Sequence, residues 1–199
     1  NSGIKGFFNE CAWKFDADAP LRSTAVVAGN SLYFGSSRGV FYSLDKNTGK
    51  INWTFNPGYA INSSAAVHHG NVFFSDNQQS LYSLNAATGK LNWKTGLGVA
   101  KNYDWAFDYT YSSPAIVKGQ ILIGSKDGCI YNINEATGRV KWKFKTAGIV
   151  RSSPAVADNI VYAGDTEGDF YAVGLNNGKQ KWCFEIEGHT MQNEKFSFD

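Results

Sequence analysis

Short apolar stretches recur along the chain, each ended by a turn signal, with no 3.6-residue periodicity between them. Residues 120–124 (QILIG) are nearly all apolar, 129–133 (CIYNI) mostly so, and 140–144 (VKWKF) alternate apolar with polar. Lys126-Asp127-Gly128 separates the first two runs, and Glu135-Ala136-Thr137-Gly138-Arg139 the second two. Glycine accepts the positive φ that such tight turns need. With residues 114–117 opening the unit, the pattern predicts four short antiparallel strands, A to D.

The unit repeats. Trp13, Trp53, Trp93, Trp142 and Trp182 are spaced 40, 40, 49 and 40 apart, and Trp105 stands outside the series. Before each of the last four lies a Tyr (Tyr42, Tyr82, Tyr131, Tyr171), a Gly (Gly49, Gly89, Gly138, Gly178) and, further back, a Ser (Ser23, Ser63, Ser112, Ser152), each at a fixed offset. One four-stranded sheet cannot bury both of its faces. Stacking sheets radially does, which predicts an all-β fold, a β-propeller of four-stranded antiparallel blades. The blades fall at 22–55, 62–95, 111–144 and 151–184, within one domain spanning 1–199. Residues 10–15 carry a lone strand-D motif, and 185–199 form a tail without one.

Composition narrows the function classes. Hydrophobic residues make up 43% and charged residues 18%, enough to bury a core. A net charge of +2 argues against a dedicated nucleic-acid binder. No apolar run is long enough for a transmembrane helix, and residues 1–9 lack the basic and apolar regions of a secretory leader. Three cysteines are no disulfide framework.

Asp45-Lys46-Asn47-Thr48-Gly49-Lys50-Ile51-Asn52-Trp53 and Asn134-Glu135-Ala136-Thr137-Gly138-Arg139-Val140-Lys141-Trp142 resemble the tryptophan-docking repeat of quinoprotein (PQQ-type) propellers. Ser112-Ser113-Pro114-Ala115 and Ser152-Ser153-Pro154-Ala155 match the opening of that repeat, and Gly124-Ser125-Lys126-Asp127-Gly128 its B–C turn. Two copies depart: Asn176-Asn177-Gly178 replaces the Thr-Gly pair, and Gln79 stands where the others have Gly. The resemblance implies series tryptophans buried between blades. It also implies a ring of about eight blades, of which four are half, completed by the remainder of the propeller or by a second copy. It implies a periplasmic, cell-surface or secreted home, as for the non-enzymatic propeller lipoprotein of outer-membrane assembly.

Function on a propeller sits where the repeats differ. The residue before each Ser of that column opens strand A, the expected innermost strand, at the mouth of the channel. These residues are Arg22, Asn62, Tyr111 and Arg151. Two arginines there favour an acidic ligand group. A nine-residue insertion makes 96–111 aromatic, with Tyr103, Trp105, Phe107, Tyr109 and Tyr111 interleaved with Asp104 and Asp108. Exposed, it would contact a protein, peptide or glycan partner; the structural alternative packs these rings onto the blade rims.

No catalytic or metal-binding motif is present. His68 and His69 fall in an A–B turn on the far face, where exposure to solvent accounts for them, and His189 lies in the tail. The quinone-dependent dehydrogenases use adjacent cysteines and a Ca²⁺ site. Cys11, Cys129 and Cys183 are far apart, and they read as small buried hydrophobes without a Cys11–Cys183 bond. Neither PQQ nor Ca²⁺ is therefore expected. The reading is a non-catalytic binding or scaffold propeller, with a sensor module of a larger protein and part of a quinoprotein dehydrogenase as alternatives.

Overall fold

The computed structural model describes residues 11–99 and 111–185. Blade 1 holds β1 (Val26–Ala28), β2 (Ser31–Gly35), β3 (Phe41–Asp45) and β4 (Ile51–Phe55). Blade 2 holds β5 (Ala66–His68), β6 (Asn71–Ser75), β7 (Ser80–Asn85) and β8 (Leu91–Gly96). Blade 3 holds β9 (Ala115–Val117), β10 (Gln120–Ser125), β11 (Cys129–Asn134) and β12 (Val140–Lys145). Blade 4 holds β13 (Ala155–Ala157), β14 (Ile160–Gly164), β15 (Phe170–Gly174) and β16 (Gln180–Phe184). Each sheet runs in chain order and is antiparallel throughout. The A strands of consecutive blades approach one another, which makes A the innermost strand. The fold is a partial propeller ring.

The core lies between blades. Ile121 and Ile123 of β10 pack toward blade 2 with Phe73, Leu81 and Leu97, while Leu122 packs toward blade 4 with Val161 and Tyr171. A strand covered on both faces cannot alternate, so β10 is buried along its whole length. The D strands are at the rim, and β12 alternates exposed with half-buried positions. Every C–D pair carries a register shift beside its Trp, between Ser43 and Leu44, Ser83 and Leu84, Asn132 and Ile133, and Ala172 and Val173. Such a bulge adds local twist.

The repeat columns are joints between blades. Trp13, Trp53, Trp93 and Trp142 donate their indole N–H to the carbonyls of Lys46, Ala86, Glu135 and Leu175 of the following blade, at 3.0, 3.0, 3.0 and 2.8 Å. Each ring lies on the glycine four positions before the next Trp. A Cβ at Gly49, Gly89, Gly138 or Gly178 would sit 2.6–2.8 Å from the indole, and φ there is +65° to +70°. Only glycine meets both demands. At the axis, the backbone N–H groups of Thr24, Ser64 and Ser113 donate to Ser64, Ser113 and Ser153 Oγ, one blade on, at 2.9 Å each. The Thr-Gly turns are held locally: Asp45, Asn85 and Asn134 each accept from the backbone N–H and the hydroxyl of the Thr three residues on. Those two bonds, the backbone one first, hold the Asp45 carboxyl below the usual range. In the fourth copy Gly174 has no side chain to cap with, and Asn177 Oδ1 takes the Lys179 N–H instead, at 3.1 Å.

Three expectations are corrected. The docking tryptophans are half-buried, because their outer edges reach the rim, and Trp182 is 45% exposed. Residues 11–15 form no strand although Trp13 is docked, because a D strand pairs only with strand C of its own blade. Cys11 is exposed and Cys183 half-exposed; only Cys129 is buried, and all three thiols are free.

Gln79 explains its own departure from the glycine column. It keeps the positive φ of that position, +61°, while its side-chain carbonyl accepts from Ser125 Oγ and the Lys126 N–H of blade 3, both at 2.8 Å. Gln79→Ala retains the strained φ and leaves the Lys126 N–H without its acceptor, while Ser125 Oγ keeps the Leu97 carbonyl at 2.7 Å, so it should cost about 1–3 kcal/mol in a denaturant titration. An unchanged midpoint would show the bridge to be inert.

Candidate functional site

The face at the channel mouth is built by the starts of the A strands and by the B–C turns. In each unit the column Ser is tied to the residue at or one before the end of strand B, as in Ser23 Oγ with Gly35 N and O at 3.0 and 2.9 Å. The column tyrosines hold the turns beside it. Tyr82 and Tyr131 donate to Asp76 and Asp127 at 2.7 and 2.6 Å, and Tyr171 is shared between Asp165 and Asp169 at 3.2 and 3.1 Å. Burial pushes all three phenols up, so they remain protonated donors. The tyrosines are framework; the residues between them vary.

Four of the residues singled out from sequence are on this frame. Arg22 Nη1 donates to Ser37 Oγ at 2.9 Å, and Ser37 donates to Asn62 Oδ1 at 3.1 Å. Blades 1 and 2 are thereby joined by one polar chain that ends on a buried Asn62. Tyr111 receives Lys126 Nζ at its hydroxyl, 2.9 Å away, and the ammonium lies 4.2 Å from its ring centre. Arg151 stands beside this pair. Together with Gln79, Leu97 and Val150 they line a cavity of about 10 Å³, room for roughly one water. The two arginines thus stand in separate groups, on blades 1 and 4. Tyr103, Asp104, Trp105, Phe107, Asp108 and Tyr109 lie outside the described residues. Among the described residues this cavity is far below the roughly 300–1,000 Å³ of small-molecule pockets. The cysteines are also dispersed, Cys129 buried in β11 and Cys183 on β16.

On the opposite face the structure gathers a set the sequence spacing conceals. Glu135, in the C–D turn of blade 3, places Oε1 2.8 Å from His68 Nδ1 and 3.7 Å from His69 Nδ1. The carboxylate side chain is 8% exposed, that of His68 38% and that of His69 76%. The histidines are therefore not accounted for by solvent alone. The glutamate is 67 residues from His68, so no motif announces it. The repeat gives little signal: the position of His68 holds Ala28, Val117 and Ala157 in the other blades, but those of His69 and Glu135 differ in every blade.

The stacked sheets, the indole-on-glycine joints and the serine chain at the axis define a quinoprotein-type β-propeller repeat protein. The sequence matches the family model described as outer membrane protein assembly factor BamB over residues 9–100 and 53–197, and the chain belongs to that family. No curated protein sequence matches it. Among solved structures it is similar to BamB from Moraxella catarrhalis, at 18% identity and a TM-score of 0.69, over 87% of this chain and 67% of that one. It is similar to a quinohemoprotein alcohol dehydrogenase from Pseudomonas putida, at 18% identity and a TM-score of 0.69, over 87% of this chain and 35% of that one. A europium-containing methanol dehydrogenase aligns at 17% identity and a TM-score of 0.71, over 88% of this chain and 44% of that one. At such identities the likeness establishes the fold. The chain spans about a third to two thirds of these relatives' lengths. Among the described residues no helix is long and apolar enough to cross a membrane.

Proposed function

We propose that the chain is part of a non-catalytic binding propeller that takes an extended, carboxylate-bearing protein segment across its channel face, outside the cytoplasm. One observation carries the reading. The four residues that lead into the A strands differ from blade to blade, while the serine column beside them repeats and accepts a backbone N–H from strand B in every blade. Arg22 and Arg151 supply cationic donors, Asn62 and Tyr111 supply polar and aromatic contact, and the cavity lined by the described residues Tyr111, Lys126 and Arg151 has room for roughly one water. Such a surface suits a chain laid across it better than a small molecule enclosed by it. The family's description as an outer membrane protein assembly factor accords with a protein partner and an extracytoplasmic home.

Fluorescence anisotropy with a labelled acidic peptide of about a dozen residues checks this, against neutral and basic peptides of equal length. Arg22→Ala and Arg151→Ala should each weaken acidic-peptide binding by about three- to tenfold, the range for one charge-assisted contact at a wet surface. Trp105→Ala combined with Tyr109→Ala should weaken it further at unchanged thermal stability. Equal binding of acidic and basic peptides would remove the proposal.

A further inference from the structure

We propose that His68, His69 and Glu135 form a binding site for one divalent transition-metal ion of the zinc type, on the face opposite the channel mouth. The donor set is two imidazoles and one carboxylate, and one ligand atom from each lies within 4.8 Å of the other two. Metal–nitrogen and metal–oxygen bonds near 2.0–2.2 Å at tetrahedral angles put ligand atoms about 3.3 Å apart. The observed separations from Glu135 Oε1, 2.8 and 3.7 Å, bracket that spacing. Rotation of the largely exposed His69 ring would close the difference. Nitrogen donors select zinc, nickel or copper over calcium and magnesium, which prefer all-oxygen shells.

The backbone that carries the carboxylate is held in place before any ion arrives. The Glu135 N–H donates to the Gly119 carbonyl at 3.0 Å within blade 3, and its own carbonyl accepts the Trp93 indole N–H of blade 2 at 3.0 Å. His69 is likewise constrained. It occupies the first position of a two-residue A–B turn at φ +45°, followed by Gly70 at +73°, which turns its ring toward that of His68, 3.8 Å away between centres. The outer imidazole is largely exposed, which gives the ion a path from solvent. An ion bound here bridges two blades, so binding adds to the stability of the folded state.

Calorimetric titration of the purified chain with zinc chloride tests the site. The expected result is one ion per chain, reversed by EDTA and not reproduced by calcium or magnesium, with a raised unfolding midpoint. Glu135→Gln and His69→Asn each remove a ligand while keeping volume or the turn, since Asn tolerates positive φ. Each should weaken zinc binding by at least about tenfold, the low end of what losing even an outer-shell partner costs. Their midpoints in EDTA should match the parent's. His189→Ala should bind as the parent does. Absence of zinc binding, parental affinity in Glu135→Gln and His69→Asn, or loss of binding in His189→Ala would each overturn the proposal.

Discussion

Trp93→Ala should destabilise the protein by about 2–4 kcal/mol and lower its unfolding midpoint by about 5–15 °C, whereas Trp182→Ala should cost less than about 1 kcal/mol. The two residues occupy the same repeat position, so composition and strand context are matched. They differ in whether another blade stands against them. Trp93 packs on the blade 2–3 core, lies over Gly138 and donates to Glu135 O. Its removal opens a gap that the rigid glycine turn cannot fill and leaves that carbonyl without its partner. Large aromatic truncations in full cores cost about 3–5 kcal/mol, and the half-exposed edge of the indole lowers the figure. Among the described residues Trp182 meets its own blade, with Phe170 and Tyr162 at 6.3 and 6.0 Å between ring centres. Chemical denaturation of both variants decides the matter, with calorimetry as a check on cooperativity, since stacked repeats can unfold in parts. Equal losses would mean that the indole works within its own sheet and that docking contributes nothing.

The isolated chain should associate in solution rather than run as a 21.8 kDa monomer. The outer face of blade 4 presents Phe184 at 63% exposure, Trp182 at 45% and Phe170 at 43%, with Phe170 and Phe184 directly paired across β15 and β16. At the other end, Trp13, Phe15, Leu21 and Phe34 line an open groove on blade 1. Both are sheet faces of a kind that interior blades cover with a neighbour, and contiguous apolar patches of this sort drive association. Direct closure by a second copy meets an obstacle. Its Trp182 would need the platform at Gly49, which Trp13 of the same chain already occupies with the usual bond to Lys46 O. Multi-angle light scattering should show mass above the monomer that rises with concentration. Trp182→Ser with Phe184→Ser should return it toward the monomer at little cost in stability. A monodisperse parent monomer across the concentration range would contradict the burial argument.

The blade and most of its joints are legible in the order of residues alone. A tryptophan and the glycine under it recur at fixed offsets because each blade repeats the geometry of the last. A contact between neighbouring blades then prints itself as a column: Trp53 with Gly89 and Trp93 with Gly138 are one contact seen twice. The same regularity made Arg22, Asn62, Tyr111 and Arg151 visible as exceptions at the starts of the A strands. What the exceptions touch was settled by the stacking of the sheets. It put Ser37 between Arg22 and Asn62, separated the two arginines, and turned Gln79 from a failed glycine into a bridge to Ser125. It joined His68 and His69 to Glu135. Apart from Arg22 with Ser37, which lies within blade 1, these contacts cross a blade boundary between residues that occur once. A contact made once leaves no period in the chain, so its partners become visible only when the blades stand side by side.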